Sequence, residues 1–196
     1  MRRAIAKRPA AACALVLAGT AVAAERVTIS IVGTNDLHGR FMTDDRGRGG
    51  LTVLGGYIDN LRAARAADRG GVLVLDAGDT FQGGIESNLA EGLMIVDAYN
   101  AIGYAALAVG NHDFDYGPVD PREPVAEWLP RHLRGEPVGD MQGALKAGAA
   151  RAHFPFLAAN IVDSSTGKPV QWPNVTPSTL VEVAGVRVGI VGMITE

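Results

Sequence analysis

The chain has 196 residues, 18 Lys+Arg against 21 Asp+Glu for a net charge of −3, and one cysteine. A polyanion-binding protein carries the opposite balance, and one thiol forms no intrachain disulfide, so nucleic-acid binding and a disulfide scaffold are both disfavoured. The length suits one domain with a sizeable core.

The first element is a targeting segment rather than part of a fold. Arg2, Arg3, Lys7 and Arg8 precede an uncharged, apolar run from Ala10 to Ala24, and Ala21-Val22-Ala23 offers the small-x-small pattern of a cleavage site. That arrangement predicts a secretory signal over residues 1–23, too short and wrongly flanked for a spanning helix. Arg2-Arg3 leaves the twin-arginine route open beside the general one. Cleavage removes four basic groups and no acidic ones, leaving 14 against 21 and a net charge of −7. Cys13 leaves too, so any metal must rest on His, Asp, Glu or Asn. The protein is expected outside the cytoplasm, periplasmic or extracellular, with no membrane association once the signal is removed.

Beyond Arg26 the pattern alternates strand and helix. Val27–Val32 is a β-branched strand. Leu51, Leu54, Ile58 and Leu61 recur at helical spacing and predict an amphipathic helix over 51–67, broken by Gly70-Gly71. Val72–Leu75 is a continuous apolar run, as in a strand covered on both faces. A helix over Leu89–Ile102 ending at Gly103, a strand over Ala105–Val109 and a Pro-rich surface insertion with short helices over 118–152 follow. Phe154–Ile161 returns to strand, and Leu180–Val183 with Val186–Met193 form a hairpin around Ala184-Gly185. This order predicts an α/β layered fold whose polar clusters lie at the C-terminal strand ends, where such sheets place their sites.

Three clusters stand at those ends. Asn35-Asp36-Leu37-His38-Gly39 follows the first strand; in extended chain Asp36 and His38 face one way and suit a divalent cation of intermediate hardness, though the triplet alone also reads as a loop with a solvated Asp. Asp76-Ala77-Gly78-Asp79-Thr80-Phe81-Gln82-Gly83-Gly84 follows the second, with Asp79 suited to bridging two ions or, equally, to capping a Gly-rich turn. Gly110-Asn111-His112-Asp113-Phe114-Asp115-Tyr116-Gly117 follows the third. Asn111 offers a neutral carbonyl ligand, and Asp115 is spaced to hold the ring of His112; the bland alternative is a polar turn.

Taken together, D-x-H, G-D-x-x-Q-G and G-N-H-D-F-D-Y-G resemble the calcineurin-like metallophosphoesterase superfamily, and the second and third look like its bacterial 5′-nucleotidase branch. The resemblance covers about Val27 to Glu196. It implies a layered, sandwich-type fold with central mixed sheets flanked by helices, present here in part. It also implies two divalent ions (manganese, zinc, cobalt or similar), with Asp36 and His38 on the first, Asp79 bridging and Asn111 on the second. His112, oriented by Asp115, would be the catalytic pair, and Asn111 and His112 would meet the substrate, a small phosphate ester such as a nucleoside 5′-monophosphate. The implied reaction is in-line attack on phosphorus by a metal-bound hydroxide, without a phosphoenzyme. Relatives acting on 2′,3′-cyclic nucleotides, UDP-sugars or a sulfur–sulfonate bond share these strand-end motifs.

The ligand set is short of that pattern. Asp36, His38, Asp79 used twice and Asn111 give five protein bonds, where two ions want about ten in all. Relatives add a lone histidine and a Gly-His-x-His turn, whereas His132 and His153 have neither setting. The sequence also stops just after a strong strand, and the C-terminal domain that stacks the base in relatives is absent. The expectation is therefore the N-terminal portion (26–196) of a catalytic domain, with a non-catalytic, weakly metal-binding remnant as the competing reading.

Overall fold

The computed structural model describes residues 26–118 and 125–195; the expected signal segment lies outside them. The chain runs β1 (Ile29–Thr34), α1 (Leu51–Ala67), β2 (Gly71–Asp76), α2 (Ile85–Leu89), α3 (Leu93–Ile102) and β3 (Ala106–Ala108). A 3-10 turn at Asn111–Phe114 leads to α4 (Val125–Leu133), α5 (Gly143–Arg151), β4 (Phe156–Leu157), β5 (Val175–Thr176), β6 (Ser178–Val183) and β7 (Val186–Val191).

Strands β1 to β5 form one sheet in sequential order, every neighbouring pair parallel. Parallel strands need crossovers, and right-handed crossovers in a sequential order put the helices on one face. Alternate sheet residues bear this out: Val72 and Val74, Leu107, and Phe156 join the main apolar cluster with Leu51 and Ile58 of α1 and Ile95, Val96 and Tyr99 of α3. The other face is partly covered by the antiparallel pair β6–β7. A cleft of about 200 Å³ separates Leu75, Ala106, Ala108 and Leu157 from Ile190 and Val191. The result is the expected α/β layered fold. Its pairing types are segregated, however, into one wholly parallel sheet and one hairpin, rather than combined in mixed sheets.

Four local expectations change. The helix expected over 89–102 begins only at Leu93, and a separate short helix, α2, ends at Leu89, because Glu91 and Gly92 between them take left-handed backbone (φ 47° and 81°). At Gly92 a side chain would strike the Phe81 ring at 2.6 Å, so glycine is required for the chain to turn there. The strand expected over 154–161 shrinks to Phe156–Leu157, since the chain then leaves the sheet: Ala159 N–H donates to Gly192 O, and Asn160 exchanges two hydrogen bonds with Ile194 (2.7 and 3.0 Å). β5, between Pro173 and Pro177, carries no hydrophobic periodicity and was not expected. The surface character expected of 118–152 fails for α5, where Ala144, Leu145, Gly148 and Ala149 are buried. No helix among the described residues is long and apolar enough to cross a membrane.

Candidate metal centre

The loops after β1, β2 and β3 meet at the C-terminal edge of the sheet. Parallel pairing carries the first two side by side: Asp36 N–H donates to Gly78 O (3.0 Å), His38 N–H to Asp79 O (3.0 Å) and Gly39 N–H to Thr80 O (2.9 Å). This short ladder brings one carboxylate oxygen of Asp36, one ring nitrogen of His38 and one carboxylate oxygen of Asp79 within 4.8 Å of one another. The expected convergence of Asp36 and His38 thus occurs, but through turned rather than extended backbone. Asp36, His38 and Asp79 all have positive φ (50°, 47° and 56°), three of the seven such non-glycine residues described. Left-handed backbone is strained for residues with a Cβ and persists where the surroundings hold it, commonly at functional sites.

The histidines are oriented by what binds their other nitrogen. Nδ1 of His38 lies 3.0 Å from Gln82 O. A carbonyl only accepts, so Nδ1 carries a proton, and Nε2 is the ring nitrogen on the Asp36 side, 3.8 Å from Oδ1. Nδ1 of His112 donates to Asp115 Oδ2 at 2.7 Å, and the His112 ring stands edge-on to that of His38, centroids 5.2 Å apart. The hydrogen bond and charge of Asp115 raise the His112 pKa above the ordinary imidazole value, with Asp79 and Asp113 adding to the effect.

The third loop is tied to Asp79 directly: the main-chain N–H of His112 donates to Asp79 Oδ1 at 2.9 Å. The approach is close enough that a Cβ at Gly110 would sit 2.2 Å from the same oxygen. Asn111, next to Gly110, opens the 3-10 turn and is exposed.

Beneath this surface are two carboxyl groups with no role in the sequence reading. Asp76 Oδ1 accepts from Gly78 N and Thr80 Oγ1 (both 2.8 Å), and Oδ2 from Thr34 Oγ1 (2.6 Å) and Tyr99 OH (2.7 Å). Asp113 Oδ1 accepts from Thr80 N (2.8 Å) and Phe81 N (3.3 Å), and Oδ2 from Gly110 N (2.9 Å). Burial raises both pKa values, that of Asp113 to about 7, while the hydrogen bonds they accept (chiefly from hydroxyls at Asp76, from main-chain N–H at Asp113) pull the other way. An apolar strand ending in Asp, and an Asp inside the third motif, were the only sequence signals available.

His132 and His153 stay apart from the cluster. His132 packs edge-on against Trp128 of its own helix, and the His153 main chain donates to Asn100 Oδ1 on α3. Alongside the first loop lies an open cleft of about 580 Å³, lined among others by Arg40, Phe41, Arg48, Gly84 and Glu86.

The donor set suits a divalent cation: two carboxylates and an imidazole oriented from behind by the Gln82 carbonyl. Comparison with known proteins points the same way. The family model for calcineurin-like phosphoesterases matches residues 29–166. A 5′-nucleotidase of Vibrio cholerae is 32% identical over 186 residues, covering 95% of this chain and 29% of its own length. Protein UshA of Escherichia coli is 30% identical over 168 residues, covering 86% of this chain and 26% of its own length. The crystal structure of a 5′-nucleotidase precursor from Thermus thermophilus superposes with a TM-score of 0.61 at 30% identity, over 85% of this chain and 28% of that one. The chain therefore spans less than a third of the length of these relatives.

Proposed function

Because this chain belongs to the calcineurin-like phosphoesterase family, we propose that it supplies the metal-binding portion of an exported hydrolase of nucleoside 5′-monophosphates. The observation that carries the proposal is the convergence of Asp36, His38 and Asp79 at one sheet edge, with the His112–Asp115 pair beside them. The substrate class follows the relatives reported above, two of which are 5′-nucleotidases.

Asp36 and His38 would hold a first divalent ion, Asp79 would lie between it and a second, and Asn111 would serve the second. Such ions polarise a phosphoryl oxygen and make water a nucleophile near neutral pH. The protein's own part is placement. With Nδ1 of His112 engaged by Asp115, Nε2 is the ring nitrogen left to donate to a phosphate or leaving-group oxygen as charge builds there. Asp115 keeps the ring turned and favours the protonated form that such donation needs. The three clusters offer no cysteine or serine nucleophile, which favours direct attack by water.

The test is phosphate release from 5′-AMP by the chain in excess manganese, purified from outside the cytoplasm with Ala24 as its first residue. Activity lost with EDTA and with Asp79→Asn is the expected result. Activity indifferent to both would overturn the reading. A second reading, metal binding without turnover, is favoured by the donor count, since only three His or acidic side chains converge among the described residues. Manganese binding with no phosphate release would select it.

A further inference from the structure

We propose that Asp76, Thr80 and Asp113 are positioning residues that lock the three ligand-bearing loops into one register without themselves touching the metal. The inference rests on the metal-centre reading above.

Thr80 directly follows Asp79 and is fully buried (0% exposed). Each of its polar groups is committed to a different loop. Its carbonyl accepts from Gly39 N in the first loop (2.9 Å), its main-chain N–H donates to Asp113 in the third (2.8 Å), and its hydroxyl donates to Asp76 at the root of its own loop (2.8 Å). The two carboxylates extend this junction in opposite directions. Asp76 reaches Thr34, two residues before Asp36, and so joins the root of the first loop to Gly78 and Thr80 on either side of Asp79. Asp113 joins Thr80 and Phe81 to Gly110, the residue before Asn111.

Hydrogen-bond capacity separates these groups from the ligands. An ionised carboxylate has about four lone-pair sites. Asp76 fills four, with Gly78 N, Thr80 Oγ1, Thr34 Oγ1 and Tyr99 OH, and is 4% exposed; Asp113 fills three and is 1% exposed. Asp76 has no lone pair left to offer, and Asp113, with one left, is buried among its three N–H donors. Turning either toward a cation at the surface strands a buried donor, which is costly. Asp79, by contrast, gives Oδ1 to His112 N–H and contributes a carboxylate oxygen to the cluster. Three strained backbones must therefore be held by something outside the ligand sphere, and the Asp76–Thr80–Asp113 junction is what binds to all three loops.

Groups that act on a metal site only by orienting its ligands change metal affinity by about 10–100-fold when removed. The test is calorimetric titration of manganese into the full chain for wild type, Thr80→Val, Thr80→Ser, Asp113→Asn and Asp79→Asn, with metal-free thermal melts of each. Thr80→Val keeps shape and loses the hydroxyl, Thr80→Ser keeps the hydroxyl, and Ile58→Ala in α1 serves as a core-destabilised control. The expected result is affinity weakened about tenfold or more by Thr80→Val and Asp113→Asn, near wild type in Thr80→Ser, and near wild type in Ile58→Ala despite its lower melting temperature. Wild-type affinity in folded Thr80→Val and Asp113→Asn would overturn the proposal, as would an equal loss in Ile58→Ala. In either case, binding abolished by Asp79→Asn would leave the metal-centre reading standing. A wild-type chain that does not bind manganese would overturn both.

Discussion

His112 acts at both of its ends, and the two ends can be separated. Its main-chain N–H holds Asp79, and its ring is held by Asp115. His112→Asn keeps the first and removes the second, so metal binding should survive while turnover falls. Loss of a positioned proton donor costs about 10²–10⁴-fold in rate, and kcat for 5′-AMP beside manganese stoichiometry reads the split. Joint loss of metal and turnover would place His112 among the ligands instead. At this scale the sequence disclosed the residues that point outward. Asp36, His38 and Asp79 were legible because each follows an apolar strand. Which aspartates turn inward was not: Asp113 and Asp115 stand two apart in one motif, yet one is buried on three N–H donors while the other is exposed on a histidine ring. Side-chain direction inside a tight 3-10 turn depends on the neighbouring loop, which the local sequence does not contain.

Elements with strong periodicity read correctly, and elements specified by tertiary contact did not. Helix α1 spans Leu51–Ala67, matching the spacing of Leu51, Leu54 and Ile58, and β2 matches its apolar run. Helix α5, Gly-Ala-Leu-Lys-Ala-Gly-Ala-Ala-Arg, has one large apolar residue among small ones and reads as surface. Its small residues instead permit close approach: a Cβ on Gly148 would stand 3.7 Å from both Phe81 and Val96. Arg151 pairs with Asp97 of α3 through two bonds (2.5 and 2.6 Å), and Asn174 Nδ2 donates to the carbonyls of Ala149, Ala152 and Phe154. Leu145 is 1% exposed, so Leu145→Ala should cost about 2–5 kcal/mol by the usual scale for a buried leucine. A surface helix would lose no more than about 0.5 kcal/mol. Urea unfolding of the two chains decides between these values. A change within the surface range would mean that α5 is not part of the core.

For the whole molecule, charge bears on the order in which the proposed metal and nucleotide would bind. The full chain carries −3, and residues 24–196 alone carry −7 (14 basic against 21 acidic groups). Asp36, Asp79 and Asp115 add negative charge around the very edge that a phosphate ester would approach, with His38 and His112 the imidazoles facing them. A doubly charged nucleotide meets net repulsion there until divalent cations invert the local field. Binding of 5′-AMP should therefore depend on metal even when no chemistry is followed. A ligand that binds only the folded state stabilises it by about 2.7 kcal/mol at a hundredfold excess over Kd, which for a chain of this size is a rise of several degrees in Tm. Thermal melts should show that rise on adding 5′-AMP to the manganese-loaded chain and none in EDTA. An equal rise in EDTA would mean that side chains alone hold the phosphate. The cleft beside Arg40 and Arg48 would then become the place to look for it, and charge at the acidic edge would no longer argue for the proposed cations.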